Sequence, residues 1–220
     1  MNEAASPSRP RGRPRAFDRD DALDRAMLLF WNRGYEATSV SELTDAMGIT
    51  PPSLYAAFGD KKGLFLEAVD RYQTGPGSFA QRALTDEPTA ERAIQRLFAD
   101  TIDSFCDPKH PKGCMVVLAA TNCKAESGDI IGELASRRRA AERAIRERIA
   151  AGRAAGELSA GVDVDALAGL VVTILYGLSI KARDGASRAA LCKIAEQTML
   201  IWPRRRGEEG RQAKRAVAPT

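Results

Sequence analysis

TSVSELTDAMGITPPSLYAAFGDKK, residues 38–62, is the stretch from which the rest of the chain is read. Ser39 is a good N-cap, and Glu42 stands three residues on, the spacing of a capping box. Val40, Leu43 and Met47 recur at helical spacing and share one face. Gly48 supplies a turn. Thr50 is a second N-cap, and Pro51 falls at the first helical position, where its missing N–H leaves no helix bond unmade. Leu54 and Phe58, four apart, anchor this second helix from below. Ser53, Tyr55, Ala56 and Ala57 are left for its other faces. A helix, a glycine turn and a second short helix make the layout that places a recognition helix in the DNA major groove.

Working outward, a first helix is expected to start at Asp18, with Asp20 and Asp21 in its first turn, where negative charge suits the helix dipole. Leu23, Ala26, Met27 and Phe30 give it an i, i+3, i+4, i+7 stripe, and Gly34 ends it. Asp60 caps a fourth helix, in which Phe65, Ala68, Val69 and Tyr72 share a face. Gly75-Pro76-Gly77 interrupts that helix.

The run GITPPSLYAAFGDKKGLFLEAV, residues 48–69, with the amphipathic helix before it, resembles the N-terminal domain of the TetR family of bacterial repressors. The pattern is a glycine turn, then Leu54-Tyr55, Phe58, Lys61 and Leu64-Phe65. It covers residues 16–72. The resemblance implies an all-α chain: a three-helix helix-turn-helix domain followed by a larger helical domain that binds ligand and dimerises. Carried over by position, it gives Tyr55 and Lys61 phosphate-clamping roles.

The residues suggest further DNA contacts of two kinds, since phosphates fix register and base edges carry sequence. Thr38 and Ser39 lie near a helix N-terminus that favours anions. Ser53 and Tyr55 offer hydroxyls. Pro51, Pro52, Ala56 and Ala57 carry no side-chain donors, so base reading would rest on thymine methyls and DNA shape. Many relatives have a bulky polar or aromatic residue where this chain has Ala57. Thr44 and Thr50 are the remaining polar candidates.

Composition bounds the rest. The chain has 220 residues, 44% of them hydrophobic and 28% charged, which describes an ordinary globular protein of one large or two small domains. The net charge of +4 is mild, but both ends are basic. Residues 1–15 read as a flexible arm, in which Arg11-Gly12-Arg13-Pro14-Arg15 resembles the core of an AT-hook. Such a thin arginine-bearing segment suits a narrow minor groove. Residues 204–220 read as a basic disordered tail. No run reaches about 18 uninterrupted apolar residues, and the N-terminus lacks the apolar core of an export signal. A cytoplasmic protein with no membrane partner is expected. Cys106, Cys114, Cys123 and Cys192 show no CxxC spacing, and His110 is the only histidine, so no metal, cofactor or catalytic constellation is expected.

Residues 78–203 read as the regulatory and dimerisation domain. Ile94, Leu97, Phe98, Thr101, Ile102 and Phe105 stripe one long helix. Met115 to Ala120 reads as a short buried helix, and residues 130–155 as a long one with Arg137-Arg138-Arg139 at its middle. The helix opened by Asp163 carries Leu167, Leu170, Val171, Ile174, Leu175 and Leu178 on one face, with Val172, Tyr176 and Ile180 on the others. A helix apolar on every side needs neighbours on every side. A last helix carries Leu191, Ile194, Ala195, Thr198, Ile201 and Trp202. The resemblance implies a homodimer built from the last two helices, so Leu167, Leu170, Val171, Ile174, Leu178, Leu191, Ile194 and Thr198 are the candidate interface. It also implies a small-molecule effector, for which the apolar helices offer Phe98, Phe105, Cys114, Met115, Leu118, Cys123 and Tyr176.

The expected function is a sequence-specific transcriptional repressor that binds a palindromic double-stranded operator and is released by its ligand. The rival reading is an all-α small-molecule-binding protein or enzyme whose N-terminal hairpin is merely structural.

Overall fold

The computed structural model describes residues 17–119, 123 and 127–205, and there it is all-α. Asp18 caps α1 (Arg19–Arg33) by accepting the N–H groups of Asp20 and Asp21. The capping box of α2 (Val40–Met47) is complete: Ser39 Oγ accepts from the Glu42 N–H, and the Glu42 carboxylate accepts from the Ser39 N–H. Gly48 turns the chain at φ 68°, in the left-handed region open to glycine. Then come α3 (Pro51–Phe58) and α4 (Lys61–Thr74), the latter capped by Asp60.

The Gly75-Pro76-Gly77 break leads into an eight-residue helix, α5 (Phe79–Asp86), which the sequence pattern does not announce. Only Ala83 of α5 is fully buried, so its apolar stripe is short and faint. There follow α6 (Ala90–Cys106), the single turn α7 (Met115–Leu118), α8 (Gly128–Ala154), α9 (Val164–Arg183) and α10 (Arg188–Leu200).

Two cores form. The first joins α1–α4 around Phe30, Trp31, Leu43, Leu54, Leu64 and Phe65. It reaches past residue 72, because Met115, Val116 and Ala119 of the α7 region and Ile130 and Leu134 of α8 are buried in it. The second joins α5, α6, α9, α10 and the C-terminal half of α8. Cys114 packs against both.

Hydrogen bonds fasten the two bodies together. The Trp31 indole N–H donates to the Gly113 carbonyl at 2.9 Å, and Arg183 of α9 donates to the Trp31 and Asn32 carbonyls. The Tyr35 N–H donates to the Ala119 carbonyl at 2.9 Å. Lys62 pairs with Asp129, and Arg137 of α8 with Asp70 of α4. His110 stacks on Trp31 at this junction, with ring centroids 4.5 Å apart.

Among the described residues α9 alone is long and apolar enough to cross a membrane. Here one side of it packs against α6, α8 and α10. All four cysteines are free thiols.

Candidate nucleic-acid interface and effector cavity

The hydrophobic anchors of α3 point inward: Leu54 is fully buried and Phe58 nearly so. That orientation leaves Pro51, Pro52, Tyr55 and Ala56 exposed on one continuous face, with Tyr55 half-exposed. Ser53 is half-buried, and its hydroxyl lies 3.0 Å from that of Thr50. Thr50 stands at the N-cap of α3 but makes no side-chain cap bond; its hydroxyl is turned to Ser53 instead. Ala57 is half-buried against the first core.

Arg19 holds α3 in place, a role the sequence reading missed. Its guanidinium lies 4.4 Å over the Phe58 ring, donates to the Ala57 carbonyl and pairs with Glu67 at 2.7 Å. Residues 48 positions apart carry no local signal of such a pair. Arg71 of α4 adds a two-pronged pair with Asp24 of α1.

The sequence-predicted phosphate contacts divide. Thr38 is withdrawn: it is fully buried, and its hydroxyl donates to the Gly34 carbonyl at 2.7 Å. Thr44 is likewise buried and bonded to the Val40 and Ser41 carbonyls, as helix-interior threonines commonly are. Ser39 is exposed, but its N–H and hydroxyl both donate to Glu42. These bonds from Ser39, with Arg33 nearby, hold the Glu42 carboxyl below its usual range. A phosphate at this helix end would have to displace a carboxylate already seated there.

Lys61 lies 4.3 Å over the Tyr35 ring. Burial there lowers its pKa, with Glu36 partly offsetting the effect. Arg11, Arg13 and Arg15 lie outside the described residues, as do most residues of the basic tail.

A cavity of about 580 Å³ opens between α4, α5, α6, α7, α8 and α9. That volume is in the range of small-molecule sites. Phe105, Cys114 and Tyr176 line it as the sequence suggested. The other four candidates do not. Phe98 is buried in the second core, and Met115 is buried in the first. The Leu118 side chain lies against Gly113, and Cys123 packs on the first core. Apolar residues on a helix of this kind serve the core first. The walls the sequence reading missed are Phe79, Ala80 and Leu84 of α5 and Arg137, Arg138 and Arg148 of α8.

The candidate dimer residues are also reassigned in part. Val171, Leu178 and Leu191 are buried inside this one chain, and Leu167, Ile174 and Ile194 pack half-buried against the same core. Leu170 and Thr198 are half-buried. The more open side of α9 carries Ala166, Leu170, Thr173, Gly177 and Ile180, at alternating spacings of four and three. Ile180 is half-exposed, and at the far end of α10 Leu200 and Ile201 are exposed by about two thirds. A helix apolar all round turns its densest stripe to its own core, and the second stripe remains for a partner.

Residues 22–68 match the family model described as bacterial regulatory proteins, tetR family. Residues 90–197 match the one described as tetracyclin repressor-like, C-terminal domain. The HTH-type transcriptional repressor ComR of Escherichia coli is 40% identical over 88% of this chain and 92% of its own length. The repressor BdcR of the same species is 33% identical over 86% and 90%. Among solved structures, a cysteine mutant of the TetR family transcriptional regulator CifR, complexed with 26-base-pair operator DNA, is 44% identical. It covers 87% of this chain and 100% of its own, with a TM-score of 0.84.

Proposed function

The chain belongs to the TetR family of bacterial regulatory proteins, and from that premise we propose that it is a homodimeric repressor that binds a palindromic operator and is released by a small molecule in its helical cavity. The observation that carries the reading is the exposed face of α3. Its anchors are buried, its N-terminus is free, and Arg19 fixes its C-terminal end against α1 and α4. ComR and BdcR are named as transcriptional repressors, which supports repression. The cavity touches α4 and α7 of the DNA-reading head and α5, α6, α8 and α9 of the body, so a ligand there bears on both. The dimer uses the open α9 stripe of Leu170, Gly177 and Ile180.

Anisotropy titrations of the full chain on palindromic and scrambled duplexes, repeated across salt concentrations, test the proposal. Equal affinity for every duplex would leave only non-specific binding and favour the structural-hairpin alternative.

Tyr55→Phe is expected to weaken operator binding by roughly two- to tenfold, the worth of one hydroxyl hydrogen bond. Lys61→Ala should weaken it and lower the salt slope by about 1. Both losses should be alike across operator variants, since phosphates carry no base identity. A changed sequence preference at constant affinity would show that these residues read bases.

Replacing Arg11, Arg13 and Arg15 together with Ala is expected to lower the salt slope by up to about 3 and to remove any preference for A·T-rich flanks. Footprints on A·T-rich and G·C-rich flanks decide. Identical footprints and slopes would mean that the arm does not touch DNA.

A further inference from the structure

The cavity is walled mainly by carbon, yet three arginines of α8 stand on it. Their partners differ. Arg137 is neutralised, by Asp70 at 2.5 Å and Glu133 at 2.9 Å. Arg148 donates to the Glu87 carbonyl and has Glu147 beside it on the same wall. Arg138 is half-buried and donates to the Val116 carbonyl at 2.9 Å; among the described residues it forms no ion pair. Glu142, one turn along α8, bears on the same Tyr176 as Arg138 but makes no ion pair with it, so the guanidinium keeps free donors, and a carboxylate meets a guanidinium with two parallel bonds. Tyr176 and Cys114, which share this end of the cavity, are both held toward their neutral forms by burial.

We infer that the cavity takes an amphipathic carboxylate, its charged end paired with Arg138 and its apolar body lying along Leu97, Phe105, Ile145 and Leu175. The inference rests on the effector reading above and names the ligand class. A monoanion fits better than a phosphate dianion. The nearest other guanidinium on the wall that forms no ion pair among the described residues, Arg148, lies ten residues along α8, about 15 Å away. The same guanidinium ties the ligand to the DNA-reading head. Arg138 holds the carbonyl of Val116, and Val116 is buried in the core of that head. Ligand charge and the seat of α7 are therefore coupled through one side chain.

The test uses the full-length protein and a panel of acids of different shape: octanoate, decanoate and phenylbutyrate. Each is compared by calorimetry with the alcohol and the amine of the same skeleton. At least one acid should bind about tenfold or more tightly than its alcohol, as a charge-assisted bond implies, and its amine should not. Arg138→Gln should abolish that preference, and the acid should no longer lower operator affinity. Arg138→Lys, which keeps the charge, and Arg148→Gln should both retain the preference. No acid preferred over its alcohol, or a preference that survives in Arg138→Gln or disappears in Arg148→Gln, would overturn the inference. If alcohols release the operator as well as acids do, the effector reading stands and the carboxylate inference falls. If the wild-type chain prefers no duplex, the regulatory reading falls, while the calorimetric preference still decides the ligand class.

Discussion

Ile180→Asp is expected to give a folded, soluble monomer whose affinity for a two-half-site operator is lower by about 10²–10⁴-fold, the avidity that two linked heads supply. Ile180 is half-exposed in the isolated chain, so the substitution removes little from the protomer's own core. In the dimer it would place an unpaired carboxylate between apolar helices, at a cost of several kcal/mol per site. Leu170→Asp, ten residues earlier on the same stripe, should act alike. The stripe of Ala166, Leu170, Thr173, Gly177 and Ile180 repeats every seven residues, the spacing that keeps a seam facing a partner helix. At Gly177 a side chain would meet nothing within 4 Å in the protomer, so that space is open to a second subunit. Val171→Asp is the contrasting variant. Val171 is 1% exposed, and its charge should unfold the chain rather than split the dimer. Size-exclusion chromatography with light scattering, together with operator titration, separates these outcomes. An Ile180→Asp protein that remains a dimer would place the interface elsewhere. A monomer that holds the full palindrome with undiminished affinity would refute the two-headed model.

The contrast between Ile180 and Leu178 shows what sequence could and could not reveal. Periodicity identified α9 as apolar on every side but could not say which stripe meets its own core. The denser stripe, with Val171 and Leu178, was the natural choice for the partner, and the structure buries it in the protomer. The head was far more legible. Its signals are local: Ser39 with Glu42, Gly48, Asp18 with Asp20 and Asp21, and Leu54 with Phe58 all lie within four residues of one another. What fixes α3 is not local. Arg19 reaches Ala57 and Glu67 across 38 and 48 residues, and no periodicity marks such a pair. The cavity failed for the same reason. Its walls come from six helices, and one of them, α5, has a single fully buried residue. Thr38 failed differently: a threonine near a helix start suits a phosphate contact or an internal bond equally, and the Gly34 carbonyl claims it.

Gly113→Ala is expected to lower stability by about 2–5 kcal/mol and the melting temperature by roughly 5–15 °C, and to alter operator binding although residue 113 is far from α3 in sequence. Gly113 stands at φ 79°, where an L side chain costs about 1–2 kcal/mol. Its added Cβ would lie 2.7 Å from the Ser179 carbonyl oxygen and 2.7 Å from a Leu118 methyl. The methyl can rotate away, but the carbonyl is helix backbone near the C-terminal end of α9, so the loop must move. That loop is where head and body meet. The Gly113 carbonyl accepts the Trp31 indole N–H, and the next residue, Cys114, donates its N–H to Ser179 Oγ at 2.8 Å. Displacing it strains both bonds at once and shifts α7, which begins two residues later and is buried in the head's core. Trp31→Phe is the milder companion. It keeps an aromatic ring against Tyr72 but removes the donor and part of the buried indole, leaving the Gly113 carbonyl unpaired at a cost of about 1–3 kcal/mol, with a small cavity beside it. Thermal unfolding of both variants, with operator titration at a temperature where each is folded, gives the comparison. If Gly113→Ala melts with the wild type, the loop yields freely and cannot transmit ligand binding to the head. If it melts early yet binds operator and responds to ligand as the wild type does, the junction is only a structural joint, and coupling must run through the Arg137–Asp70 and Lys62–Asp129 pairs instead.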